Sequence, residues 1–312
     1  MIVTLEGTNT GEIGSKLLEL REEGGVVALG RVLTLIVVAT GGDVERTIAA
    51  ANDASREHPS RVIVVDGSQP ENGGRIDAQI RLGADAGASE VVVLHTSIEE
   101  HLSPDTLVNP LLLPDTPIAV WWRNRAPESM SGSLIGAIAQ RRISDVLAGD
   151  DPIGDLYALA ENYAPGDTDL SWARTTLWRG LAAAALDQPP HQAVDSVEVC
   201  GNARRPSVRL FAAWFAYALG VPVRVVHEED ATAITAFRLF RQAGMICMRR
   251  PEGSAVLTIT APGQPEQQIA MPLRTTADCL MEDLRRLDAD TIYGATLTQG
   301  LSAITISEEV LP

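Results

Sequence analysis

Apolar positions along the chain fall into runs of two kinds. In TNTGEIGSKLLELREEGG, the residues Ile13, Leu17 and Leu20 recur at helical spacing, with Thr10 as a cap and Gly24 as a stop. RVLTLIVVA, from Arg31 to Ala39, is instead a continuous apolar run of strand length rich in β-branched residues. An amphipathic helix from Asp43, DVERTIAAANDASRE, and a second buried strand, RVIVV from Arg61, follow. Strand, helix and strand in that order form a βαβ unit, which predicts a parallel sheet covered by helices. RIDAQIRL from Arg75 alternates as a half-exposed strand does, and EVVVLH from Glu90 and PIAVWW from Pro117 read as buried strands. Helices are predicted around 134–147 and 153–163.

Pro165 and Gly166 break the pattern, and acidic turn residues follow, so a boundary is expected there, with domains at 1–165 and 166–312. Beyond it, GDTDLSWARTTLWRG opens a predicted helix, capped by Asp169 or Ser171 and running to Leu186. At 100° per residue, Trp172 and Trp178 lie about 120° apart around such a helix. The expectation is therefore that Leu177, Trp178 and Leu181 pack inward. Trp172 should then lie at the edge, with Arg174 and Arg179 toward a cleft or a partner. The strand VEVC and a helix over 207–219 come next, then closely spaced strands near 222–227, 232–241, 245–250, 255–260 and 267–272. Helices from Thr275 and Asp290 close the pattern. Strands without intervening helices predict an antiparallel sheet. The fold class is thus an α/β N-terminal half with a mainly parallel sheet covered by helices, then a smaller α+β half with an antiparallel sheet.

Charge excludes two classes of partner. The 312 residues carry a net charge of −16, with the acidic excess mostly in the first half. A nucleic-acid-binding surface needs a basic patch, and adhesion to an anionic membrane needs one too, so neither partner is expected. No run reaches the roughly 18 uninterrupted apolar residues of a membrane span, and the first residues do not resemble a signal peptide. Cys200, Cys247 and Cys279 are far apart and odd in number, which suits a reduced cytoplasm better than a disulfide framework.

Candidate chemistry is sparse. Lys16 is the only lysine, no Gly-x-x-x-x-Gly-Lys occurs, and neither a Gly-x-Gly-x-x-Gly nor a Gly-x-Ser-x-Gly motif is present. The histidines and carboxylates of HTSIEEH match no helical metal-ligand spacing, so neither a metal nor a cofactor is expected. Two groups remain. Gly41 and Gly42, at a strand-to-helix turn, with Arg56, His58 and Arg61 around the next turn, are candidates for an anion. Trp122, Arg123 and Arg125 in VWWRNRAP, with Trp172, Arg174 and Arg179, are candidates for a protein partner, since Trp and Arg are enriched at binding hot spots. Trp121 and Trp122 point to opposite faces of their strand, so one belongs to a core and the other lies under a helix or in an interface.

LREEGGVVALGRVLTLIVV, AANDASREHPSRVIVV, PIAVWWRNRAP and DLSWARTTLWRG, in that order, resemble the OpcA family over about Leu5 to Gly300. These are assembly or regulatory proteins of glucose-6-phosphate dehydrogenase in actinobacteria and cyanobacteria. The resemblance implies a non-catalytic accessory protein that binds this dehydrogenase and supports its assembly or activity in the oxidative pentose phosphate pathway. It brings no catalytic residue to this chain. Redox control through cysteines, linked to some cyanobacterial members, is not carried over, because this chain has no close cysteine pair. The alternative reading is a sensor of an anionic sugar phosphate or nucleotide at the Gly41, Gly42, Arg56 and Arg61 group.

Overall fold

A computed structural model describes residues 1–23, 32–39, 44–57, 59–67, 75–82, 90–96, 104–187 and 191–307. The chain divides into two compact units. The first comprises Met1–Ala148, Ala164–Leu170 and Thr276–Ala289; the second comprises Gly149–Tyr163, Ser171–Thr275 and Asp290–Pro312.

The first unit is built on an eight-stranded sheet. Its strands are β1 (Ile2–Thr8), β2 (Leu33–Ala39), β3 (Ser60–Asp66), β4 (Ile76–Arg81), β5 (Glu90–His95), β6 (Ile118–Trp122), β7 (Arg141–Ser144) and β8 (Asp167–Asp169), in the spatial order β1-β4-β5-β3-β2-β6-β7-β8. Pairing is parallel from β5 through to β8 and antiparallel only at the β1-β4-β5 edge. The predicted βαβ unit is present, with α2 (Val44–Ala54) between β2 and β3. Every residue of β2 and β3 is buried, as continuous apolar strands of a covered parallel sheet should be, while β4 alternates buried and half-buried. Helix α1 (Thr10–Glu23) buries Ile13, Leu17 and Leu20, but Asn9 supplies the cap expected of Thr10, its Oδ1 accepting from the Glu12 N–H at 3.0 Å.

The helix expected over 134–147 is a correction. Only Leu134–Ala137 is α-helical (α4); residues 141–144 form β7, and Val146–Ala148 is a short 3-10 helix. Buried ion pairs put a charged tetrapeptide into the sheet. Arg142 Nε donates to Asp167 at 2.5 Å, and Arg141 Nη2 donates to Asp283 at 2.5 Å. The acidic turn expected after Gly166 is likewise strand β8. The carboxylate of Asp169, at the end of β8, accepts from the Ser144 hydroxyl and the Val146 N–H.

The second unit holds a seven-stranded sheet. Its strands are β9 (Ser196–Gly201), β10 (Val223–His227), β11 (Ile234–Phe240), β12 (Ile246–Arg249), β13 (Val256–Thr260), β14 (Gln267–Ala270) and β15 (Ile304–Ser307), in the order β14-β13-β12-β11-β9-β10-β15. Five of these run antiparallel from β14 to β9, and β10 and β15 add in parallel. Val197, Val199, Phe237, Leu239, Met248 and Leu257 share one face of that sheet, alternating as period-two side chains must. Helix α8 (Pro206–Leu219) covers it with Phe211, Phe215 and Ala212, and ends at Gly220, whose φ of 64° is the left-handed cap that favours glycine. Helix α7 (Thr176–Leu186) adds Trp178, Ala182 and Ala185.

Candidate functional site

The stretch from Leu170 to Leu186 is not one helix. It forms α6 (Leu170–Ala173) and, after a break at Arg174 and Thr175, α7. The Thr175 hydroxyl donates to the Trp172 carbonyl at 2.7 Å across that break. With the helix interrupted, the 120° separation of the two tryptophans no longer applies, and both are buried, each 2% exposed. Trp178 packs against Phe211 and Phe237 with ring centroids 6.1 Å away in each case, and the Arg250 guanidinium lies 5.4 Å above it. The edge position expected for Trp172 is corrected. This side chain is an internal anchor: its indole N–H donates to Asp290 at 2.8 Å, its ring lies 5.8 Å from Tyr293, and the Arg179 guanidinium stacks 3.5 Å from its centroid.

Leu177 reverses the other way. Expected to pack inward, it is 40% exposed on the outer face of α7, because Trp178, Ala182 and Ala185 take the inward positions. Arg179 is held at the start of the same helix, Nε donating to Thr175 and Nη2 to Thr176 at 2.9 Å each. Arg174 is half-buried. The second candidate cluster separates by depth. Trp121 and Trp122 are both buried, Arg123 reaches Asp145 at 3.4 Å, and Arg125 is exposed.

Of the anion candidates, Gly41, Gly42 and His58 lie outside the described residues. Arg61 is buried in β3 and engaged: Nη2 pairs with Glu90 at 3.0 Å and Nη1 donates to the Leu111 carbonyl at 2.5 Å. Glu90 also receives Arg21 at 2.6 Å, so one fully buried carboxylate holds two guanidinium groups. Arg56, largely exposed, pairs with Asp53 at 2.8 Å. Residues 56 and 61 thus serve different local tasks.

The cysteines are all free thiols. Arg238 Nη1 donates to Cys200 Sγ at 3.2 Å and pairs with Glu198 at 3.1 Å. Burial pushes the Cys200 thiol up to about 11 against the lowering field of Arg238, and burial raises Cys247 for the same reason. At Asp283, burial pushes the carboxyl up to about 6, opposed by Arg141. No group of three potential metal ligands occurs among the described residues, and none of the described helices is long and apolar enough to cross a membrane.

The chain thus consists of an α/β unit with buried ion pairs and an α+β unit with an aromatic core. Residues 51–161 match the N-terminal domain, and residues 165–297 the C-terminal domain, of the glucose-6-phosphate dehydrogenase subunit described for the OpcA family. The chain belongs to this family. It is 26% identical over 194 residues to a putative OxPP cycle protein OpcA of Synechococcus elongatus, a match covering 56% of this chain and 43% of the relative's length. Among solved structures, a 3-ketoreductase from Actinomadura kijaniata in complex with NADP aligns with a TM-score of 0.46 at 10% identity, over 88% of this chain and 98% of that one. An NAD-binding oxidoreductase from Klebsiella pneumoniae aligns with a TM-score of 0.46 at 8% identity, over 88% and 96%. No functional reading follows from likenesses at these scores.

Proposed function

We propose that this chain is a non-catalytic accessory protein that binds glucose-6-phosphate dehydrogenase in the cytoplasm and supports its assembly or activity in the oxidative pentose phosphate pathway. The observation that carries this reading is the consecutive match to both domains of the family, covering residues 51–161 and 165–297. Support acts by differential binding: a partner present at 100 times its dissociation constant from the active assembly, and without affinity for the alternative, favours that assembly by about 2.7 kcal/mol. Assembly and regulation share this physics, since either follows from preferring one dehydrogenase state.

Within this reading the outer face of α7 contacts the dehydrogenase. Leu177 offers exposed apolar surface, and Arg179, about 160° around the helix axis on its other flank, is already fixed by Trp172, Thr175 and Thr176. A guanidinium ordered before binding loses less entropy on contact. Trp172 supports Arg179 through its stack, and Arg174 lies on the same unit; Trp122, Arg123 and Arg125 are a separate candidate group of the first unit, with Arg125 exposed. Leu177→Asp is expected to leave the melting temperature within about 2 °C, since surface changes lie within about 0.5 kcal/mol, and to weaken dehydrogenase binding at least about tenfold. Thermal melting of the variant and its calorimetric titration against the dehydrogenase measure the two effects; wild-type affinity in a folded variant would remove α7 from the interface.

A further inference from the structure

On the core face of the second sheet, beside α7, lies a cavity of about 300 Å³. Leu181, Ala184 and Ala185 from α7 form one wall, and Ile246, Met248 and Ile259 from β12 and β13 form another. Gln192, Gln264 and Gln267 are its neutral polar members, and Arg241, directly after β11, is the one charged residue lining it. Arg241 is only 9% exposed, and its Nε and Nη2 reach no hydrogen-bond partner among the described residues. Three other buried guanidinium groups are matched by carboxylates, Arg61 by Glu90, Arg141 by Asp283 and Arg142 by Asp167, and Arg250 lies over the Trp178 ring with Nη1 donating to the Met271 carbonyl at 3.4 Å. A buried guanidinium calls for an anion, and its planar fork fits the two oxygens of a carboxylate.

The lining decides which anion. One guanidinium balances one negative charge, which fits a carboxylate and leaves a phosphate dianion half neutralised. Walls made mainly of aliphatic groups would strip water from the hydroxyls of a sugar without replacing its hydrogen bonds. A volume of 300 Å³ accommodates on the order of ten non-hydrogen atoms at the roughly 30 Å³ a water takes in the liquid. We propose that this cavity binds a medium-chain monocarboxylate, with Arg241 holding the carboxylate and Leu181, Ile246, Met248 and Ile259 taking the hydrocarbon. The proposal stands independently of the dehydrogenase reading, because the site lies wholly within one unit of this chain.

The test is calorimetric titration of the full chain with octanoate, 1-hexanol and glucose 6-phosphate. Octanoate is expected to saturate one site, with 1-hexanol at least about tenfold weaker and glucose 6-phosphate not competing. Arg241→Met should weaken octanoate at least about tenfold and leave the alcohol unchanged. Ala184→Trp, which keeps Arg241 and fills the cavity from α7, should abolish octanoate binding in a protein of unchanged circular dichroism, and it decides the matter if the Arg241 variant does not fold. Failure of octanoate to saturate by about 10 mM would overturn the proposal. Undiminished binding in either folded variant, or displacement of octanoate by glucose 6-phosphate, would overturn it as well.

Discussion

Replacing Trp172 tests whether the short segment before α7 is an internal anchor. Its indole N–H donates to one oxygen of Asp290, whose other oxygen caps α10 (Thr291–Ala295) by accepting from the Tyr293 N–H at 2.9 Å. Trp172→Ala removes a side chain that is 2% exposed, the stack with Arg179 and the contact with Tyr293. Large aromatic truncations in cores cost about 3–5 kcal/mol, and the hydrogen bond to a charged acceptor and the cation–π contact lie within that figure, since contributions from one side chain do not add. At about 2–4 °C per kcal/mol for a unit of this size, the melting temperature should fall by roughly 6–20 °C. Trp172→Phe keeps most of the ring and loses the N–H, so it should cost about 1.5–3 kcal/mol. A cycle with Asp290→Ala should then show coupling of about 1 kcal/mol or more. Urea unfolding followed by circular dichroism measures each protein of the cycle. A cost below about 1 kcal/mol for Trp172→Ala, or an additive cycle, would refute the anchoring role.

Two further expectations concern titration and redox state. Support of the dehydrogenase and the melting temperature should be the same in dithiothreitol and in oxidised glutathione. Cys200 and Cys247 lie on β9 and β12 with β11 between them, about 10 Å apart at two strand spacings, beyond the roughly 7 Å a disulfide spans, and both thiols are raised by burial; a change abolished by replacing the cysteines would contradict this. For Asp283, the folded value of about 6 lies above the ordinary 3.8, so the folded state binds its proton more tightly and the stability this group lends is lost as pH rises from about 4 to about 6. Urea midpoints of the wild type should therefore decline relative to Asp283→Asn across that window and run parallel above about pH 7; a wild type that gains instead would mean an ionised carboxylate locked by Arg141.

Apolar periodicity made most of the architecture legible. The continuous runs of β2, β3 and β5 and the alternation of β4 read directly as strands, and the closely spaced strands after residue 222 announced an antiparallel sheet. β7 and β8 were illegible because their burial rests on Arg141 and Arg142 meeting Asp283 and Asp167, which are distant in sequence. Charged segments of three or four residues carry no hydrophobic period, so only tertiary pairing identifies them. Trp172 and Leu177 differ from expectation because the helix is not continuous; the break at Arg174 and Thr175 rotates every later side chain. Arg241 gave no signal, since an arginine after a strand is ordinarily solvated, and its burial depends on α7, β12 and β13 converging around it.

The central claim, that this chain binds glucose-6-phosphate dehydrogenase and favours its active assembly, is tested most directly by mass and rate together. The cognate dehydrogenase is run in sedimentation velocity with and without an equimolar amount of this chain, and glucose 6-phosphate oxidation is measured on the same samples. A co-sedimenting complex with a higher specific activity is expected, and no glucose 6-phosphate oxidation by this chain alone. Independent sedimentation of the two proteins with an unchanged rate, at concentrations well above micromolar, would contradict it.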